Sequence, residues 1–282
     1  MARVAVVTGG ASGIGRATVE RLLRADWAVV LADMNADRGA GVVRELGGER
    51  LSFVAADVSR ETDVASAVAH ARDTYGRLDC MVNNAGVGGA FGPLTELHVD
   101  DWDYTFAVVV RSVFLGTKHA VRVLLEQGEG GSIVNVASIA GAVGGMGPQA
   151  YSAAKAAVIH FTRIAAAELA PQRIRVNSVS PGVIRTPLVE IGGRDVDAGV
   201  QGVQPWPDTG EADDVAKVIE FLAGDSAGFV TGVDVKVDGG VVAAGARLGD
   251  SVGSDPALRG LVGVSRGTTG ERSTVRARLP RD

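Results

Sequence analysis

The chain has 282 residues, 46% of them hydrophobic and 22% charged; this suits one large globular domain or two small ones and excludes a disordered or fibrous protein. Thirty-nine glycines without a three-residue period, nine prolines and 5% aromatics indicate many tight turns and exclude collagen. A net charge of −5 leaves no basic footprint for nucleic acid, and no apolar run reaches the roughly 18 to 20 residues that span a bilayer, so neither nucleic acid nor membrane is expected as a partner. The one cysteine, Cys80, excludes an internal disulfide framework and a multi-cysteine zinc site. With no convincing signal-peptide pattern in MARVAVVTGG, a cytoplasmic protein is expected.

Short β-branched apolar runs alternate with longer segments of helical periodicity. Val4 to Val7, Ala28 to Ala32, Leu51 to Ala55, Cys80 to Val82, Ser132 to Val136, Arg175 to Ser178 and Asp234 to Val237 read as strands of a parallel sheet. Gly15 to Ala25, Arg38 to Leu46, Glu61 to Tyr75, Asp100 to Leu125, Tyr151 to Leu169 and Asp213 to Leu222 carry apolar residues at three and four residue spacing, as covering helices do. The expected fold is therefore α/β: a single-domain, doubly wound, Rossmann-type parallel sheet of about seven strands with helices on both faces. Such a sheet has a crevice at the carboxyl ends of its strands, where one reversal of strand order leaves room for a ligand. Residues 1–246 are expected to form this domain. Residues 247–282 hold seven Arg, four acidic residues and no aromatic, and are expected to be a weakly ordered extension.

Thr8-Gly9-Gly10-Ala11-Ser12-Gly13-Ile14-Gly15 lies between the first strand and the first helix. Glycines there let the backbone turn sharply and approach a pyrophosphate, whose charge faces the amides of the helix N-terminus. Asp33 ends the second strand 18 residues after Gly15, close to the spacing of about 20 at which a carboxylate takes an adenosine ribose. That carboxylate repels a 2′-phosphate, and neither Ser12 nor Met34 offers a compensating cation. NAD is accordingly expected over NADP.

The spacing of Gly9, Gly13 and Gly15 resembles the short-chain dehydrogenase/reductase family, and the resemblance runs from about Arg3 to Val242. Asp57-Val58 looks like the pair that touches adenine in that family, and Asn83-Asn84-Ala85-Gly86 like its turn after the fourth strand. Pro181, Gly182, Ile184 and Thr186 resemble the segment lining the nicotinamide. The cofactor residues so implied are Gly9, Ser12, Gly13, Ile14, Gly15, Asp33, Asp57, Val58, Asn84, Ala85, Gly86, Tyr151, Lys155, Pro181, Gly182, Ile184 and Thr186. The resemblance also implies a homotetramer, with the fourth and fifth long helices packed on their symmetry mates and the Asp238-Gly239-Gly240 turn meeting another subunit.

Tyr151 and Lys155 are four apart at the start of a helix and so share one face. Ser138, 13 residues before the tyrosine at a strand end, completes the family's Ser, Tyr, Lys set. Hydride transfer at a carbinol carbon requires a proton to move on or off its oxygen, which makes Tyr151 the expected acid/base. A phenol of pKa about 10 needs a cation at about 4 to 6 Å to lower it, a role that falls to Lys155 and the positive ring of oxidised NAD. Ser138 is expected to donate a hydrogen bond to the substrate oxygen. The expected activity is that of an NAD-dependent short-chain alcohol dehydrogenase or ketone reductase.

One residue departs from the family pattern. Where its long fourth helix carries an asparagine that helps hold a water beside the lysine, this chain has Val109. An altered relay, through a backbone carbonyl or Ser112, or a cofactor-binding scaffold with impaired catalysis, are the two alternatives. His70, His98, His119 and His160 are scattered, so no metal is expected. Cys80 reads as a small core residue, and Glu211, Asp213 and Asp214 as a helix cap. Leu188, Val189, Ile191, Val200, Val203 and Trp206 are expected to form an apolar lid facing a wall of Gly144, Gly145 and Met146. The small-molecule substrate is then an uncharged, largely apolar, cyclic or steroid-like secondary alcohol or ketone.

Overall fold

The computed structural model describes residues 2–189, 196–200, 202–245, 261–264 and 274–277. The chain divides into two units, Met1–Val242 and Ala243–Asp282. In the first, the strands are β1 (Val4–Thr8), β2 (Ala28–Asp33), β3 (Leu51–Ala55), β4 (Cys80–Asn83), β5 (Gly131–Val136) and β6 (Ile174–Pro181). Two short strands, β7 (Ile184–Arg185) and β8 (Gly210–Glu211), precede the last main strand, β9 (Asp234–Val237). The helices are α1 (Gly13–Arg24), α2 (Ala36–Leu46), α3 (Glu61–Tyr75), α4 (Val99–Phe106), α5 (Ser112–Gln127), α6 (Gln149–Leu169), α7 (Val196–Val200) and α8 (Ala212–Ala223).

The seven main strands form one parallel sheet in the order β3-β2-β1-β4-β5-β6-β9. Strand alternation divides the core into two layers. Ala5 and Val7 of β1 face a layer with Leu22 of α1, Val42 of α2 and Ile219 of α8. Val4 and Val6 face the other, with Val68 of α3, Leu124 of α5 and Leu169 of α6. Helices therefore cover both faces, as the alternating pattern requires. The chain winds outward from β1 to β3 and then returns to β4 on the other side of β1. Beyond this reversal the chain leaving β1 and the chain leaving β4 lead to helices on opposite faces of the sheet, and the crevice opens there.

Two elements differ from their sequence expectation. Strand β6 runs on to Pro181, past Ser178. The polar residues Ser178 and Ser180 hid this continuation, but both hydroxyls donate to the Asp234 carboxylate of β9, at 2.9 and 2.7 Å. The helix expected over Asp100 to Leu125 is three pieces, with a π-helical turn at Ala107–Arg111 between α4 and α5. Three consecutive valines crowd that turn, and the Ser112 hydroxyl takes the Val108 carbonyl at 2.5 Å. Val109 lies inside it.

In the second unit, Leu261–Val264 and Thr274–Ala277 pair as antiparallel strands. The remainder of the expected extension, from Arg247 onward, lies outside the described residues.

Candidate active site

A cavity of about 440 Å³ occupies the carboxyl end of the sheet. The first half of its wall follows β1. Thr8 ends that strand, and its hydroxyl accepts the backbone amides of Asn84 and Ala85 at 2.9 and 3.1 Å. Asn84 returns the bond, its side-chain amide donating to the Thr8 carbonyl at 2.8 Å. Together they staple the glycine loop to the turn after β4. Gly9 has φ +65°, and a Cβ there would lie 2.9 Å from the Ala85 Cα. Only glycine permits both the turn and the approach.

Asp33 closes this end of the cavity. Its two carboxylate oxygens accept the Ala11 and Asn35 amides at 3.1 and 2.9 Å, which fixes the carboxylate on the cavity wall. Asp57 binds its own turn, accepting the Ser59 amide and hydroxyl at 2.9 and 2.7 Å. Every expected cofactor residue lines the cavity except Gly15. Gly15 stands behind the loop, where a Cβ would come 2.1 Å from the Gly9 carbonyl oxygen. There it lets α1 begin against the loop.

Ser138, Tyr151 and Lys155 come together on the far side of the same cavity. The end of β5 presents Ser138, and the first turns of α6 present the other two one above the other. A Cβ on Gly141 would collide with the Lys155 backbone at 2.5 Å, so that glycine allows the turn after Ser138 to press on α6. Ser138 is buried; its oxygen accepts the Ala140 amide at 3.1 Å and its hydroxyl bonds the Tyr151 phenol. Lys155 is buried as well. Its ammonium donates to the Val136 carbonyl at 2.6 Å and stands 5.6 Å from the centre of the Tyr151 ring.

Burial governs the electrostatics of this pair. Burial pushes the Tyr151 phenol above its ordinary value, with the Ser138 hydrogen bond opposing it. Burial likewise brings the Lys155 ammonium down to about 8. Desolvation is the largest influence on the phenol and sets its direction. The phenol is therefore held protonated, the form that donates to a ketone oxygen.

The same burial makes stability depend on pH. Since Lys155 binds its proton less tightly folded than unfolded, the unfolded chain holds more protons between about pH 8 and pH 10.5, and stability rises with pH across that window. Tyr151 acts oppositely, but only once pH exceeds the ordinary phenol value. Lys155→Met removes the buried ammonium and should be more stable than the parent at pH 7, with the advantage shrinking by pH 9.5. Urea titrations at the two values check this; an advantage that grows with pH would contradict it.

Residues expected at the substrate end divide. Leu188 and Val189 line the cavity. Ile191 lies outside the described residues, while Val200, Val203 and Trp206 are away from this wall: Val200 and Trp206 line a separate surface hollow, and Val203 is exposed. Gly144, Gly145 and Met146 do not line the cavity either. Tyr104, Val108 and Val87 do, and sequence reasoning missed them because they belong to the helix and loop after β4, distant in the chain from the glycine loop and the tyrosine. Thr8 was visible as the first residue of the glycine motif, although its stapling role required the partner strand.

Other groups have structural work. Cys80 sits in the core and burial pushes its thiol up to about 12. Glu211 and Asp214 form a capping box on α8, and Asp213 pairs with Arg21 at 3.0 Å. Among the described residues no group of His, Cys, Asp and Glu could hold a metal ion, and no helix is long and apolar enough to cross a membrane.

Residues 9–242 match the protein-family model described as Enoyl-(Acyl carrier protein) reductase. The chain is 44% identical over 243 residues to cis-4-hydroxycyclohexanecarboxylate dehydrogenase of Sinomonas cyclohexanicum, covering 86% of this chain and 97% of that protein. It is 37% identical over 244 residues to 3beta-hydroxysteroid dehydrogenase 2 of Eggerthella lenta, covering 84% and 94%. Among solved structures, levodione reductase superposes with a TM-score of 0.80 at 34% identity, covering 86% of this chain and 98% of its own. A stapled glycine loop, a parallel sheet with its crevice at the strand reversal and this extent of identity agree: the chain belongs to the short-chain dehydrogenase/reductase family of oxidoreductases.

Proposed function

We propose that the protein transfers a hydride between NAD(H) and a largely apolar, cyclic secondary alcohol or ketone, with Tyr151 as the acid/base. The observation that carries this reading is the meeting of Ser138, Tyr151 and Lys155 in one cavity with the pinned Asp33 carboxylate at its other end. The cavity suits a nicotinamide dinucleotide, because Gly13 at the start of α1 keeps its wall open: a Cβ there would lie 3.3 Å from the methyl of Thr186, which lines the same cavity.

When bound, the dinucleotide supplies or accepts the hydride. Ser12, Gly13 and Ile14 would hold its pyrophosphate on their backbone amides, and Gly9, whose own amide donates to the Ala32 carbonyl at 2.8 Å, would let the loop approach it. Asp33 would take the adenosine ribose, Asp57 and Val58 the adenine, and Asn84, Ala85 and Gly86 would line the path between. Pro181, Gly182, Ile184 and Thr186 would border the nicotinamide, and Lys155 would hold its ribose. Tyr151 donates its phenolic proton to the substrate oxygen in reduction and recovers it in oxidation. Ser138 donates a hydrogen bond to the same oxygen and stabilises charge that develops there.

Lys155 is the only Lys or Arg lining the cavity among the described residues, which supports an uncharged substrate over one with a phosphate handle. Relatives named for a hydroxycyclohexane and a hydroxysteroid support a cyclic alcohol. An assembly of four copies is consistent with Phe114, Leu125 and Ile164, which are exposed on α5 and α6. The test is a nicotinamide absorbance screen over cyclic ketones with NADH and with NADPH, run beside Tyr151→Phe.

The rival reading, a cofactor-binding scaffold, draws on Val109. That side chain is wholly buried among Val113, Ala137, Ala154, Val158 and Ile159, so it is packed in an apolar cluster. Restoring the amide with Val109→Asn is expected to lower the melting temperature, since a buried amide without a partner costs about 1–3 kcal/mol, and to change turnover by less than about threefold. A tenfold gain would identify the valine as a lesion in the proton path and favour the scaffold.

A further inference from the structure

The cavity wall beyond the reacting centre is shared by two loops that are distant in the chain. One follows β4. Its Gly89 has φ +74°, and a Cβ there would lie 3.4 Å from both the Tyr151 Cβ and the Thr105 methyl, so this loop rests directly against the acid/base residue. Gln149, in the first turn of α6, donates to the Gly92 carbonyl at 3.0 Å and ties the loop to the helix that carries Tyr151. Between these two anchors lies Phe91, 75% exposed. The second loop follows β7 and brings Leu188 into the cavity, 46% exposed.

Phe91 and Leu188 converge on one glycine. A methyl group placed on Gly88 would touch the Leu188 Cδ1 and the Phe91 Cε2, each at 3.9 Å. An aromatic edge and an aliphatic tip thus face the same gap, the first on the loop that packs on Tyr151 and the second on the cavity wall itself. A single exposed apolar residue requires no explanation, but two that converge beside a reacting centre form a surface for an apolar body.

We infer that Phe91 and Leu188 form a clamp that grips the part of the substrate remote from its reacting carbon and sets a preference for fused or extended ring systems over single rings. This rests on the proposed reading of the cavity as a cyclic alcohol or ketone site and names its specificity residues. Remote contacts of this kind act on affinity for substrate more than on the chemical step. A single ring held at Ser138 and Tyr151 would lie inside the rim, whereas a second ring reaches it.

The experiment uses the full chain carrying Tyr151→Phe and loaded with NADH, so that ketones bind without turnover. Affinities for 2-decalone and cyclohexanone are measured by calorimetry, with and without Phe91→Ala and Leu188→Ala. Either truncation is expected to lower the ratio of 2-decalone to cyclohexanone affinity about tenfold, the effect of losing part of one buried apolar side chain, and Phe91→Leu should keep most of the preference. In the turnover-competent protein the same truncations should raise KM for 2-decalone more than they lower kcat.

Equal losses for both ketones would mean that the loop has been disturbed as a whole and would overturn the clamp. So would an unchanged ratio, or a parent that binds 2-decalone no better than cyclohexanone. If the ratio falls as expected while the protein with native Tyr151 turns over neither ketone with either cofactor, the hydride-transfer reading fails and the clamp stands.

Discussion

Tyr151→Phe should reduce turnover of a cyclic ketone by about 10²–10⁴-fold, the span attributed to a positioned general acid, while leaving NADH affinity within about twofold. The substitution deletes one oxygen from a side chain whose ring stays packed against α6 and beneath Gly89, so neither the fold nor the cofactor cradle loses a contact on which it depends. Burial holds the phenol above its ordinary value, and no neighbouring group replaces it as proton donor: the alcohol hydroxyl of Ser138 can hydrogen-bond the substrate oxygen but is too weak an acid to give up its proton, and Lys155 donates to the Val136 carbonyl. Stopped-flow measurement of NADH oxidation, with fluorescence titration of NADH, separates the two effects. Turnover within tenfold of the parent would remove Tyr151 from the acid/base role.

Exchange of Asp33 should have the next largest effect, on the choice of cofactor. Its carboxylate is pinned by the Ala11 and Asn35 amides and faces the cavity, which suits ribose hydroxyls and repels a 2′-phosphate. Hydrogen bonds to a charged group contribute about 1.5–3 kcal/mol, so Asp33→Ala should weaken NADH by about 10- to 100-fold and narrow or reverse its advantage over NADPH. Because Asp33→Ala also frees two backbone amides, Asp33→Asn serves as the companion: it keeps an acceptor and removes the charge. If both variants retain the parental NADH to NADPH ratio of kcat/KM, Asp33 does not select the cofactor.

Much of the site could be read along the chain because its chemistry is local. The glycine loop must follow a strand and open a helix, the acid must end the next strand, and Tyr151 and Lys155 must be one helical turn apart. Each requirement concerns residues close in sequence. Gly15 illustrates the limit: the motif contains it, but only the fold reveals that it meets the Gly9 carbonyl and not the cavity. The substrate end illustrates it further. Leu188 and Val189 were legible as apolar residues after the nicotinamide segment, whereas Phe91 gave no signal, since a lone aromatic in a glycine-rich loop acquires meaning only from what stands opposite.

The sequence by itself determined the order of strands and helices, the two-layer core and the placing of a Ser, Tyr, Lys set at strand and helix ends, because hydrophobic period and glycine spacing act over a few residues. Tertiary structure alone decided the Thr8 to Asn84 staple, the π-helical turn around Val109, the continuation of β6 against Asp234 and the direction in which Tyr151 and Lys155 shift. Those properties depend on burial and on partners far away in the chain, and neither desolvation nor a long-range hydrogen bond leaves a mark in the spacing of residues.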